Sequence, residues 1–312
     1  MGPVLVTAIV ALVAGLIVAA IVHRWPHTPL VAPRVAPDTV AKEVHGHWTV
    51  ASFFRSRLDP ATETGLLLTV AAIVVVVGAG AVGALLVMVR RSVGFARWDL
   101  RFADWGARNA SEMGSEVLRT VSLLGGTSGL IVVGLIVAIV ESRRIPHRSP
   151  ILFLLLVLVG QNLLANGAKM VVDRARPDIS RLTGFAGSSF PSGHSTAAAA
   201  TYAAVALLMS RGRGRQARAL IAGGGAAIAA AVAASRVFLG VHWFTDVLAG
   251  LALGWAWFAL CSIAVGGRVM VFAVPAAVAD QEAVAPGAVT PAAAEQEAVA
   301  TARQDVVGKV AK

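Results

Sequence analysis

Seven long apolar runs, at about residues 3–22, 65–89, 122–140, 151–172, 194–210, 219–237 and 242–265, constrain this chain before any single residue does. A helix needs about 20 mostly apolar residues to cross a bilayer, and in lipid every backbone N–H and C=O must find its partner within the protein. Each run is near that length, and the chain is 57% hydrophobic and only 14% charged, far from the composition of a soluble domain. The spacing of apolar residues is helical rather than alternating, which excludes a β-barrel. The expected fold is all-α, a polytopic transmembrane helical bundle.

The segments between the runs divide the chain. No basic residue precedes the run at 3–22 and His23-Arg24 follow it, so it reads as a retained membrane helix and not a cleaved leader. Residues 23–64 hold prolines, charges and histidines without a sustained apolar period, a linker that ends in a short helix around Trp48 to Arg57. His45 and His47 lie in it with no further ligands at useful spacing, so no metal site is expected there. Between 94 and 118, Phe95, Trp98, Phe102 and Trp105 recur at helical spacing with charges between them. This predicts an amphipathic helix, aromatic side inward, either lying on the membrane surface or packed over the ends of the bundle. Beyond Arg268 a tail rich in Ala, Val, Pro and Glu is expected to be disordered. The expected division is 1–64 for an extra N-terminal transmembrane helix and linker, 65–266 for a six-helix membrane core, and 267–312 for the tail.

Charge reports topology. A net charge of +10 in a soluble protein would suggest nucleic acid, but here the arginines crowd short loops beside apolar runs, so no nucleic-acid partner is expected. Arg143, Arg144 and Arg148 mark one cytoplasmic loop, and Arg211, Arg213, Arg215 and Arg218 mark another. Alternation then places 173–193, the turn from Arg236 to His242 and the amino terminus outside, and the carboxyl terminus in the cytoplasm. The connection 90–121 also falls outside although it is basic, with Asp99, Asp104, Glu112 and Glu116 offsetting it in part. The single cysteine, Cys261, lies within the last run, which excludes an intrachain disulfide and reads as a small buried hydrophobe.

Ionisable groups inside a membrane are expensive, at least about 2.5–3.5 kcal/mol each on insertion scales, so each one is a functional candidate. Asn162, Asn166, Lys169 and Asp173 fall on one helical stripe. His242, Asp246, Gly250 and Gly254 recur every fourth residue, which lets the carboxylate accept from one ring N–H of the imidazole and leaves the other nitrogen with its lone pair outward. The two glycines allow a neighbouring helix to come close. Pro191-Ser192-Gly193-His194 opens a helix, with proline in the first turn, and a helix N-terminus presents free N–H groups and a positive dipole end to an anion.

Taken together, Lys169 with Arg176-Pro177, then Pro191-Ser192-Gly193-His194, then Ser235-Arg236 with His242 and Asp246 resemble the three-part signature of the type 2 phosphatidic acid phosphatase family. That family shares its site with vanadium haloperoxidases and bacterial acid phosphatases. The resemblance covers about 65–265 and matches at every signature position. It implies a bacterial integral-membrane phosphatase in which His242 is the nucleophile, Asp246 orients it, and His194 is the general acid. Lys169, Arg176 and Arg236, with Ser192 and the Gly193 amide, would hold the phosphoryl oxygens, so that neither metal nor cofactor is expected. The implied substrate is a lipid phosphate or diphosphate on the extracytoplasmic face. Polyprenyl diphosphate, phosphatidylglycerophosphate and phosphatidic acid all fit, the first being the initial expectation, in support of cell-wall synthesis. A phosphotransferase and a non-catalytic lipid-phosphate binder or transporter are the competing readings.

Overall fold

In the computed structural model the described residues are 2–24, 63–144, 149–178 and 187–271, and among them the secondary structure is helical throughout. The helices are α1 (Pro3–Arg24), α2 (Glu63–Arg91), α3 (Ala96–Arg108), α4 (Glu112–Leu123), α5 (Thr127–Arg144), α6 (Ser149–Val172), α7 (Gly193–Met209), α8 (Arg215–Phe238) and α9 (Phe244–Val271). The expected short helix at 48–57, the pair His45 and His47 and the tail from 272 lie outside the described residues.

Helices α1, α6 and α8, with Thr69–Arg91 of α2 and Phe244–Val265 of α9, are long and apolar enough to cross a membrane. The run at 122–140 differs from expectation. It is not one helix: α4 and α5 meet at a 49° bend, and only as a pair are they long and apolar enough for one span. The break falls at Leu124-Gly125-Gly126, where a Cβ on Gly125 would stand 2.4 Å from the Val232 side chain and 3.0 Å from the His194 carbonyl. Only glycine fits there, and the chain turns in the space it leaves.

Helix α7 has 17 residues, about 25 Å of rise, and is the hub of the bundle. It packs against α5, α6, α8 and α9, and every residue from Ser195 to Tyr202 is buried. Its run of alanines has a physical cause, because a helix touched on all sides by other helices must be thin. The same cause explains Gly250 and Gly254 of α9. A Cβ on Gly250 would lie 2.6 Å from the Ser192 carbonyl oxygen, and one on Gly254 would lie 2.3 Å from the Thr196 carbonyl oxygen. The close helix approach expected from their spacing is present.

Helix α1 packs along α8 through the same chemistry. A Cβ on Gly15 would meet the Gly223 carbonyl oxygen at 2.9 Å, and one on Gly223 would meet the Gly15 carbonyl oxygen at 2.6 Å. Its opposite face exposes Leu5, Leu12, Leu16 and Ile17, as a lipid-facing surface does. Cys261 is buried with Val157, Ala204 and Leu208 in an apolar cluster, where it serves as a small hydrophobe.

The segment 94–118 also departs from expectation. It forms two helices, α3 and α4, separated near Asn109, with the Ser111 hydroxyl capping α4 by accepting from the Gly114 N–H at 3.1 Å. The buried face of α3 is Asp99, Ala103 and Gly106, while Phe95, Trp98 and Phe102 are exposed. Gly106 lets α3 lie against the end of α8, since a Cβ there would stand 3.0 Å from Phe238 Cα. Phe102 and Trp105 then stack over Phe244 and Phe238 at 4.8 and 5.4 Å. The aromatic stripe flanks the contact face, and an acid occupies its centre.

Candidate active site

One end of the bundle collects the end of α6, the start of α7, the end of α8 and the start of α9. Four elements therefore deliver the singled-out residues to one place. Lys169 comes from the last turn of α6, and its Nζ stands 3.3 Å from where a Cβ on Gly193 would be. Lys169, Arg176, Arg236 and His242 all lie within electrostatic reach of His194. The fourth member of the α6 stripe is different. Asp173 has left the helix with φ of 42° and is exposed, so it does not share the interior face with Lys169.

Arg176 is fixed by the backbone. Its Nε donates to the Gly187 carbonyl at 2.9 Å, Nη1 to the Val241 carbonyl at 2.7 Å and Nη2 to the Ser188 carbonyl at 3.2 Å. The same Nη1 stands 3.2 Å from His242 Nε2. Arg236, buried at 2% exposure, reaches across from α8 to donate to the Ser122 hydroxyl of α4. Arg176 and Arg236 therefore both act on the His242 imidazole, and Lys169 joins them in acting on that of His194.

Helix α7 starts at Gly193, two residues beyond Pro191, so the proline lies outside the first turn. Ser192 is the N-cap and Pro191 precedes it. The Ser192 hydroxyl accepts from the Ser195 N–H at 3.4 Å and from the Ser195 hydroxyl at 2.9 Å, and its backbone N–H donates to the Asp246 carbonyl at 3.0 Å. The backbone N–H groups at the helix start that can face an anion begin with Gly193.

His242 sits between α8 and α9 at 1% exposure, with Asp246 fully buried beside it. His242 Nδ1 is 3.6 Å from Asp246 Oδ2, just beyond hydrogen-bond length, and has no other partner among the described residues. Oδ2 is shared, because it also accepts from the Trp243 backbone N–H at 3.0 Å, the return half of a capping box at the start of α9. Burial pushes the His242 imidazole down to about 4, against the pull of Asp246, with Arg176 and Arg236 adding to the drop. The ring is neutral at physiological pH, with Nε2 on the side of the cations and Nδ1 on the side of the carboxylate.

Reading the sequence missed two residues here. Arg174 donates from Nη1 to Asp246 Oδ1 at 2.6 Å and from Nη2 to Asp99 Oδ2 at 2.7 Å. Asp99, from α3, is 3% exposed and also accepts from the Thr245 N–H at 2.8 Å. A signal existed for each: a second arginine two positions before Arg176, and an acid set among aromatics in an otherwise basic connection.

A cavity of about 550 Å³ lies between α5, α6 and α7. Lys169, Gly193 and His194 line one end. Ile131, Leu155, Val159 and Leu163 line its flank and are exposed on the outer surface of the bundle. Asn162 and Asn166 lie between the two, with the Asn166 amide donating to the Asn162 side-chain oxygen.

Comparison with known proteins bears on the same region. Residues 150–270 match the PAP2 superfamily. Phosphatidylglycerophosphatase B of Bacillus subtilis is 35% identical over 147 residues, which are 45% of this chain and 70% of that one. Lipid A 1-phosphatase of Rhizobium etli is 40% identical over 128 residues, covering 37% of this chain and 50% of that protein, so the chain spans about half the length of this second relative. The crystal structure of a transmembrane PAP2 type phosphatidylglycerolphosphate phosphatase from Bacillus subtilis superposes with a TM-score of 0.53 at 28% identity, covering 59% of this chain and 94% of that one.

Proposed function

The chain belongs to the PAP2 superfamily and is a membrane phosphatase, and from that premise we propose that it hydrolyses the terminal phosphate of a lipid phosphate through a phosphohistidine on His242. The observation that carries this reading is the cavity, which has Lys169, the start of α7 and His194 at one end and an apolar flank at the bundle surface. A ligand filling it has phosphate at one end and hydrocarbon at the other.

In the first half-reaction the His242 Nε2 lone pair attacks phosphorus, an N–P bond forms and the P–O bond to the lipid breaks. His194 gives its proton to the leaving oxygen. The Arg176 guanidinium now 3.2 Å from Nε2 turns its N–H to a phosphoryl oxygen instead, which frees the lone pair. Lys169, Arg176 and Arg236, with the Gly193 amide, neutralise the three equatorial oxygens, the work a divalent cation does elsewhere. The Ser192 hydroxyl proton, which its capping role leaves unused, can donate as well. The ring becomes cationic while phosphorylated, and Asp246 beside Nδ1 stabilises that charge. Water then attacks phosphorus, His194 takes the water proton, the N–P bond breaks and inorganic phosphate leaves. The negative phosphate among the cations is what allows His194 to hold a proton at the start.

For the substrate, Asn162 and Asn166 favour a headgroup with hydroxyl or ester oxygens between phosphate and tail, as in phosphatidylglycerophosphate or phosphatidic acid. A polyprenyl diphosphate offers those amides nothing beyond its phosphates. The 35% identity to a phosphatidylglycerophosphatase supports the same choice. The arginines at the end of α5 and in the turn from α7 to α8 are at the opposite end from the site, which under the positive-inside rule supports an extracytoplasmic site.

The test is purified protein with phosphatidylglycerophosphate, phosphatidic acid and a polyprenyl diphosphate, each in excess chelator and with no acceptor but water. Stoichiometric phosphate from the glycerolipids, with the polyprenyl substrate slower, is expected. Loss of activity on chelation overturns the metal-free mechanism, and phosphate release only with an added alcohol points to a transferase.

A further inference from the structure

The carboxylate beside the nucleophile is not held by its own helix alone. Asp246 Oδ1 accepts from Arg174 Nη1 at 2.6 Å, and Arg174 Nη2 donates to Asp99 Oδ2 at 2.7 Å. Asp99 in turn grips the start of α9: its Oδ1 accepts from the Thr245 N–H at 2.8 Å, and its Oδ2 accepts from the Thr245 hydroxyl at 2.7 Å. Arg174 also donates to Thr245 Oγ1 at 2.8 Å and lies over the Trp243 ring, 5.4 Å from its centroid. Asp99 and Asp246 are buried, and one cation bridges both.

We infer that Arg174 and Asp99 are positioning residues for the reaction, a relay by which α3 sets the Asp246 carboxylate against His242. The inference rests on reading His242 as the nucleophile and Asp246 as its orienter. The geometry requires some such device. Asp246 Oδ2 is divided between the Trp243 amide at 3.0 Å and His242 Nδ1 at 3.6 Å, so a small rotation of the carboxylate decides which one it serves. Arg174 holds the other oxygen and blocks that rotation. A carboxylate without this tether swings wholly to the helix cap, and His242 loses its orienter. Arg174 does not reach the phosphate cluster through any of these bonds, so the relay acts on turnover and not on phosphate binding.

The experiment uses the full-length protein, with Arg174→Gln, Arg174→Lys, Asp99→Asn and Asp246→Asn measured in parallel. Readouts are kcat and KM on phosphatidic acid micelles, inhibition by vanadate, and thermal unfolding. Arg174→Gln and Asp99→Asn are expected to lower kcat by about 10- to 100-fold, the range seen when a partner of an oriented ligand is removed. KM and vanadate inhibition stay within about threefold of the parent, Arg174→Lys recovers part of kcat, and a double variant combining Arg174→Gln with Asp99→Asn is no worse than the poorer single one. Parent-like kcat in Arg174→Gln and Asp99→Asn, with Asp246→Asn inactive, overturns the relay and leaves the nucleophile reading standing. Parent-like kcat in Asp246→Asn overturns the reading beneath it. If Arg174→Gln fails to fold, Asp99→Asn and Arg174→Lys decide, and equal loss of kcat and vanadate binding in them means a structural role only.

Discussion

Replacing Gly254 by alanine should disable the enzyme although the residue touches no phosphate. The added Cβ would lie 2.3 Å from the Thr196 carbonyl oxygen, 2.8 Å from Ala199 Cβ and 3.1 Å from the Ala200 nitrogen. Two of these three are backbone atoms of α7, so no side chain can swing away. Normal contact needs about 3.5 Å, and α7 and α9 must therefore part by about 1 Å. Overpacking of this kind typically costs about 1–3 kcal/mol in stability. The larger effect is on chemistry, because α7 carries Ser192 and His194 while α9 begins with the turn that holds Asp246 and His242. A misplacement of about 1 Å between reacting groups can lower the rate about 100-fold, equivalent to about 2.7 kcal/mol in the barrier. The assay is kcat/KM on a lipid phosphate beside thermal unfolding, with Gly80→Ala as reference, since nothing lies within 4 Å of a Cβ there. Gly80→Ala should match the parent. Parent-like turnover in Gly254→Ala, or equal damage from Gly80→Ala, refutes the argument that the close helix seam sets the site.

The pH dependence follows from the burial of His242, whose imidazole is held at about 4 in the folded protein against an ordinary value near 6.5. On the proposed mechanism the neutral ring attacks phosphorus, so kcat/KM, which reports the free enzyme, should have its His242 acid limb near pH 4; a limb at 6.5 contradicts the burial argument. For stability the sign is fixed by the depressed imidazole: below about 6.5 the unfolded chain binds the extra proton first, so stability falls as pH drops from 6.5 toward 4, and His242→Gln should remove that part of the slope in thermal unfolding. Single cysteines introduced at Arg213 or Arg215, in a Cys261→Ser background, should resist an impermeant thiol reagent applied from outside intact cells, whereas labelling there would invert the orientation.

The all-helical, polytopic bundle was legible because the bilayer demands it, and the apolar runs announce α1, α2, α6, α8 and α9 within a few residues. The bend between α4 and α5 was not, since Gly125 and Gly126 are unremarkable among many membrane glycines until Val232 and His194 are seen pressed against them. Lys169, Arg176, Arg236, His194 and His242 could be brought together in advance because their spacing along four segments matches a known signature. Arg174 and Asp99 could not, because their bonds join residues 75 apart in sequence, and no spacing rule links a surface helix to a loop after α6. The inward face of α3 was misread for a related reason. Aromatic periodicity outweighs a lone acid in a sequence pattern, yet here the acid is buried, with Arg174 and Thr245 to receive it.

The account stands on His242 forming a bond to phosphorus. Rapid-quench of the protein with phosphate-labelled lipid, followed by peptide mapping under alkaline conditions that preserve phosphohistidine, measures that bond directly. The predicted result is label on His242 that appears and decays at rates compatible with kcat, is absent in His242→Ala, and persists longer when His194 is replaced by Gln. Label on another residue, or undiminished turnover in His242→Ala, would contradict it.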